Sequence, residues 1–187
     1  MAELSPAHKL ALEISSCPQA CVGLKDLNHP CNGVISWQAQ AWNPPIQEIE
    51  GSLMHRPEAW TGDLAKAPII FLASNPSFDP KENYPSWDNS LWSDEDIAAF
   101  GAERFTEDKF RKFGATESRS LAGQDRTIAL DGTYSDQVQH WVWVRKYVSH
   151  ILGKSAEDTS AIDDYVMTEL VHCKSPSEEG VMDALDM

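Results

Sequence analysis

The sequence predicts an α/β domain built on parallel strands, and three observations carry that prediction. The run Ile69-Ile70-Phe71-Leu72-Ala73 is apolar without alternation, the pattern of a strand covered on both faces. A second strand reads from Tyr165 to Val171. Between them lie helical patterns, so the order is strand, loop, helices, strand, loop, helix. In open sheets of this kind, ligands bind outside the carboxyl ends of the strands. Both strands here run into dense polar loops, SNPSFDPKENYP and HCKSPSEEG.

Taken in order, residues 3 to 16 predict a short helix, with Leu10, Leu12 and Ile14 among polar neighbours. Residues 17 to 67 predict irregular chain, because Cys-Pro, His-Pro-Cys-Asn-Gly, Asn-Pro-Pro and Arg-Pro are all turn or breaker signals. Such a stretch is expected to wrap the core, with Trp37, Trp42 and Trp60 as anchors. Pro68 opens the first strand. Ser93 caps a helix, with Asp96 in the capping-box position and Ile97 and Phe100 facing inward. The stretch from Gly114 to Gly132 reads as loop. Ser135 begins the strongest helix, which runs to about Leu152. Val138, Trp141, Val142, Val148, Ile151 and Leu152 form its apolar stripe, and Gly153 fits its C-terminal cap. An acidic linker, residues 154 to 163, leads to the second strand, and a last helix starts at Glu178. The whole chain, 1–187, reads as one domain: an irregular wrap over 1–67 and an α/β core over 68–187.

Composition bounds the function. Apolar residues make up 42% of the chain, enough for a core. No apolar run reaches the length of a membrane span, and the N-terminus has no secretory pattern, so the expectation is a soluble, cytoplasmic protein. The net charge of −14 repels phosphate backbones and argues against a broad nucleic-acid surface. The basic residues from Arg104 to Arg126 are interleaved with acids and read as a solvated helix face. Without a secretory signal the four cysteines, Cys17, Cys21, Cys31 and Cys173, do not suggest a disulfide framework. They suit either free buried thiols or a metal site closed by tertiary contact.

The two strand-end loops carry the chemistry. Pro76 fixes its own φ and pushes Asn75 toward extended backbone, so a two-faced amide projects from a rigid position. The N–H groups of Ser77 and Phe78 are then free to point into a cleft. The second loop offers Glu169, His172, Cys173 and Lys174. A carboxylate in a buried strand is expensive unless paired, which singles out Glu169.

Ala73-Ser74-Asn75-Pro76-Ser77, then Glu82-Asn83-Tyr84-Pro85, and Thr168-Glu169-Leu170-Val171-His172-Cys173-Lys174-Ser175-Pro176 together resemble motifs of the uracil-DNA glycosylase superfamily. There the first motif reads Gly-x-Asn-Pro-Gly or Gly-Glu-x-Pro-Gly, and the iron–sulfur branch has a second strand reading roughly Thr-Asn-Val-Val-Lys-Cys-Arg-Pro. The resemblance implies a three-layer αβα fold with a central parallel sheet. It also implies hydrolysis of the N-glycosidic bond of uracil or another damaged base in DNA, through an oxocarbenium-like transition state. It assigns Asn75, Ser77 and His172 to the chemistry, with Asn75 orienting the attacking water by position and charge stabilisation. Ser74, Pro76, Phe78, Tyr84 and Glu169 would line the base pocket, with Tyr84 near the family's stacking aromatic.

Glu169 stands where the iron–sulfur branch has an Asn that reads the pyrimidine edge. An amide donates and accepts and so matches uracil, whereas a carboxylate only accepts and favours a base presenting donors. The same branch implies a [4Fe-4S] cluster held by Cys17, Cys21 and Cys173, with Cys31 as an alternative fourth ligand. Here three residues separate the first pair, where the branch has two. The family continues with two more strands and a His-Pro-Ser loop that nothing after Pro176 supplies, so the expectation is a shortened relative or a truncated product. Two rival readings remain: a non-catalytic nucleobase- or nucleotide-binding module, and an iron–sulfur protein of the same fold.

Overall fold

A computed structural model describes residues 3–41, 44–47, 53–78, 80, 84–87, 92–103, 120–122, 126–128, 139–159 and 163–186. The first helix, α1 (Pro6–Ser15), lies where patterning places it. The Ser5 hydroxyl accepts from the His8 backbone N–H, and Pro6 occupies the first turn, where its missing N–H costs nothing.

The stretch read as irregular contains helices: α2 (Pro18–Lys25), α3 (Asn32–Ile35) and a 3₁₀ turn, Ser36–Ala41. The reason is local. Cys17-Pro18 reads as a breaker in sequence, yet Pro18 sits in the first turn of α2, where proline starts helices. Gly23 lets this hairpin close, since a Cβ there would stand 2.7 Å from the Cys31 Cβ. The tryptophan anchors hold in part: Trp60 is buried and Trp37 half-buried, while Trp42 lies outside the described residues.

Strands β1 (Ile69–Ala73) and β4 (Tyr165–Glu169) pair in parallel, with Ile69 opposite Tyr165 and Ala73 opposite Glu169. The chain is thus α/β in its core. On the other edge of β4, Thr61 and Met167 exchange backbone hydrogen bonds of 2.8 and 3.0 Å. Thr61 thus adds one bridge to that edge of β4.

Cover on both faces of β1 is not found: Ile70 and Leu72 are each 61% exposed. Val166, opposite Ile70, is fully buried with Ala11, Ala59 and Trp60, so the cover on that face stops at β4. The opposite face is packed. Ile69, Phe71 and Tyr165 meet Val144, Val148, Phe100, Tyr84 and Trp92.

Helix α4 (Asp94–Glu103) begins with the expected reciprocal cap: Asp96 N–H donates to the Ser93 hydroxyl, and Ser93 N–H donates to the Asp96 carboxylate. Ile97 and Phe100 are buried as patterning requires. α4 packs on α1, where Gly101 allows close approach to Ala11, and His8 Nε2 meets Glu103 Oε1 at 2.7 Å. The loop expected over 114–132 holds a hairpin of β2 (Ser120–Ala122) and β3 (Arg126–Ile128), strands too short for a periodicity to register. Residues 104–119 lie outside the described residues, so of the basic segment only Arg126, on β3, is placed.

Helix α5 (Gln139–Leu152) is described from Gln139, so the expected start at Ser135 and inward Val138 lie outside the described residues. Its buried face is Val144 and Val148, flanked by Trp141 and Leu152. Ile151, expected inward, is exposed because it falls at the margin of that arc. Gly153 ends the helix at φ 65°, as a C-terminal cap should. The last helix, α6 (Val181–Leu185), starts slightly later than expected. Among the described residues no helix is long and apolar enough to cross a membrane.

Candidate functional site

Past their paired ends, the two strands lace their loops together. Leu170 N–H donates to Ala73 O (2.9 Å), Val171 N–H to Ser74 O (3.0 Å), and Ser175 N–H to Pro76 O (2.9 Å). These bonds bring Asn75 against the 175–177 turn. The Asn75 Nδ2 faces three carbonyl oxygens, of Ser177 at 3.3 Å and of Ser175 and Pro76 at 3.4 Å. Only the nitrogen can donate to carbonyls, so this environment fixes which way the amide points. Its Oδ1 is then an acceptor, buried and without a hydrogen-bond partner among the described residues.

The neighbours fall into place around that amide. The Ser74 hydroxyl donates to Glu178 at 2.6 Å, which ties the first loop to the second. Pro76 and Phe78 are buried, while Ser77 is exposed and faces solvent. Phe78 packs on the His55 ring at 4.5 Å, and His55 stacks on Tyr84 at 4.9 Å with the planes 14° apart. The Lys174 ammonium lies 4.2 Å from the Tyr84 ring centre and 2.7 Å from Glu58 Oε2. Tyr84 is thus packed among His55, Lys174 and Phe100, a wall of the core beneath the loops.

Glu169 is buried at the very end of β4, not on a solvated edge. His172 Nδ1 donates to the Glu58 carbonyl at 2.6 Å, which leaves Nε2 as the acceptor nitrogen. Burial holds the His172 pKa below its ordinary value, against the opposing pull of Glu58, so the ring is neutral at pH 7.

The cysteines gather on the other flank of the same loops. Cys31 and Cys173 are buried in one apolar cluster with Ala20, Val34, Met54 and Val171. Their sulfurs are hydrogen-bonded, which draws the Cys31 thiol down to about 6, helped by His29 and opposed by burial. The same contact, with burial, pushes Cys173 up, and Cys17 is close enough to add to that. Cys21 lies one helical turn from Cys17 on α2 and acts electrostatically on Arg56. Cys31 and Cys173 are thus in contact, and Cys17 lies close enough to act on Cys173. Among the described residues, no three His, Cys, Asp or Glu side chains are arranged around a single metal ion.

Sequence reasoning missed Gln38, His55 and Glu58. Gln38 Nε2 donates to Lys174 O at 2.8 Å, and its Oε1 accepts from the His55 N–H at 3.1 Å. The available signal was the cluster His55-Arg56-Pro57-Glu58 between Met54 and Trp60, where charged residues sit among buried apolar ones. Arg56 in turn lies over Trp87 at 4.5 Å and donates to Ser86 O at 3.0 Å, pinning the loop that carries Tyr84.

Comparisons with known proteins give no match: none to a protein-family model, none to a curated protein and none to a solved structure. The functional reading therefore rests on the residues and their geometry.

Proposed function

We propose that this chain is a DNA base-excision glycosylase of the uracil-DNA glycosylase type, hydrolysing the N-glycosidic bond of uracil or another damaged base. The observation that carries the reading is the Asn75 amide: its nitrogen is anchored to the Ser175 and Ser177 carbonyls, and its buried Oδ1 remains as an acceptor. Under this reading the loops part when DNA binds, since Oδ1 is closed to solvent, and the oxygen then holds one hydrogen of a water whose lone pair faces the anomeric carbon. As the glycosidic bond breaks, its electron pair leaves with the base, and the water adds to the oxocarbenium-like sugar and loses a proton. Asn is too weak a base to take that proton, so its contribution is position and charge stabilisation. Under this reading neutral His172, with Nε2 as acceptor, would receive that proton.

Under this reading the sheet is the core of a three-layer αβα fold, and the partner is DNA containing a damaged or deaminated base. Ser74, Pro76, Phe78, Tyr84 and Glu169 would line the base pocket, with Tyr84, whose ring is covered by His55 and Lys174, supporting its wall instead of stacking on the base. The buried carboxylate of Glu169 favours a base that presents hydrogen-bond donors. Cys17, Cys21 and Cys173, with Cys31, would hold a [4Fe-4S] cluster, which would tie α2 and α3 to the loop after β4. Wild type and Asn75→Ala, incubated with oligonucleotides carrying uracil, hypoxanthine or xanthine and then alkali, test the reading. The expected outcome is cleavage at one base, reduced about a hundredfold in the variant. Equal and negligible cleavage by both proteins on every base would sink it.

A second reading, a non-catalytic nucleobase- or nucleotide-binding module, draws support from the charge of −14, which disfavours a DNA duplex more than a small ligand. Tight binding of a free nucleoside without any base release would favour it.

A further inference from the structure

The segment carrying His55 and Glu58 reaches into the strand-end loops and is held there from several sides. Glu58 and Lys174, 116 residues apart, form an ion pair at 2.7 Å with side chains only 9% and 3% exposed. The Glu58 backbone is fixed to His172 twice, its N–H donating to His172 O at 2.8 Å and its carbonyl accepting from His172 Nδ1. The Lys174 carbonyl accepts from Gln38, and its ammonium rests on Tyr84. The next residue is Ser175. Its N–H donates to Pro76 O, and its carbonyl accepts from Asn75 Nδ2. Whatever moves Lys174 therefore moves one of the three carbonyls that orient the Asn75 amide.

Stability alone is a poor reason for such a pair. Both ions are taken out of water, and that cost offsets their attraction, so apolar replacements of similar volume are often neutral or stabilising. Geometry is a better reason, because an ion pair held at both ends has one arrangement where apolar side chains have many. We propose that Glu58 and Lys174 are a positioning pair, which fixes Ser175 and through it the orientation of the Asn75 amide. The inference rests on Asn75 being the group that holds the reacting water.

The test compares Lys174→Met alone with the double variant Glu58→Leu/Lys174→Met. The single change takes the Lys174 ammonium away from the buried Glu58 carboxylate, and the melting temperature should fall by about 10 °C. The double change removes both charges and should regain most of that loss. The decisive readout is hydrogen exchange of the Asn75 side-chain amide protons, followed by NMR in each protein. In the double variant, exchange should be faster than in wild type by about tenfold or more, despite the recovered melting temperature. If the recovered double variant protects that amide as well as wild type does, the pair is not a positioning device. If the double variant does not regain its melting temperature, the pair is a stability device and the inference also fails. This readout needs no substrate. A chain that releases no base would end the glycosylase reading, while the positioning of Asn75 would still be decided by exchange.

Discussion

At Gly180 one added carbon has little room. This glycine has φ 82°, and a Cβ built there would stand 2.5 Å from the Gly33 carbonyl carbon and 2.8 Å from its Cα. The Gly180→Ala variant therefore meets two costs. The left-handed conformation costs a non-glycine residue about 1–2 kcal/mol. The backbone of α3 must also retreat, at about 1–3 kcal/mol for forced overpacking. The sum, about 2–5 kcal/mol, lowers the melting temperature of a domain this size by about 5–15 °C. Gly153→Ala is the control, since Gly153 has φ 65° but nothing within 4 Å of a built Cβ. It should show the conformational cost alone, about 1–2 kcal/mol. Thermal unfolding followed by circular dichroism, on both variants side by side, measures the difference. The site should feel the first variant and not the second, because Glu178, which accepts from Ser74, and Ser177, which accepts from Asn75, lead directly into Gly180. If the two variants melt within about 2 °C of each other, the close approach of α6 to α3 does not matter and the reasoning fails.

Other outcomes follow from the same structure. Ser93→Ala removes the α4 cap and should cost about 1 kcal/mol, read as a lower urea midpoint with an unchanged slope. Burial lowers the His172 pKa, and the partial desolvation of His140, whose outer edge is exposed, lowers that one too, so the folded chain binds fewer protons than the unfolded chain in the mildly acidic range. The stability gained by keeping them neutral is present above pH 6.5 and lost as the pH falls through their folded values. His140→Gln should flatten the fall in urea midpoint between neutral and acidic pH, and an identical profile would contradict the assignment. Protein purified without air should contain iron and acid-labile sulfide, and Cys173→Ser or Cys31→Ser should lose both. A colourless, iron-free wild type would remove the cluster.

Much of the fold was legible where the signal is local. β1 matches its apolar run residue for residue because Pro68 and Asn75-Pro76 bound it, and α4 starts at a reciprocal cap written in Ser93 and Asp96. Local reading failed where a local cue has two meanings. Pro18 both breaks and begins helices, and the apolar Ile70 and Leu72 resemble buried residues although β4 is where their face of the sheet loses its cover. The site divides in the same way. Asn75 is visible because the following proline makes its position rigid. Glu58 and Gln38 are not, because their partners, Lys174 and its carbonyl, lie 116 and 136 residues away and no periodicity spans that distance.

The most direct measurement of the central claim follows the released base. Wild type and Asn75→Ala are incubated with a base-damaged oligonucleotide, and the free base and the abasic strand are quantified over time by mass spectrometry. Water held at Asn75 predicts that wild type releases the base in step with abasic strand and that the variant does so about a hundredfold more slowly. Release at the same rate by both proteins, or none from wild type on any damaged base, would contradict the account.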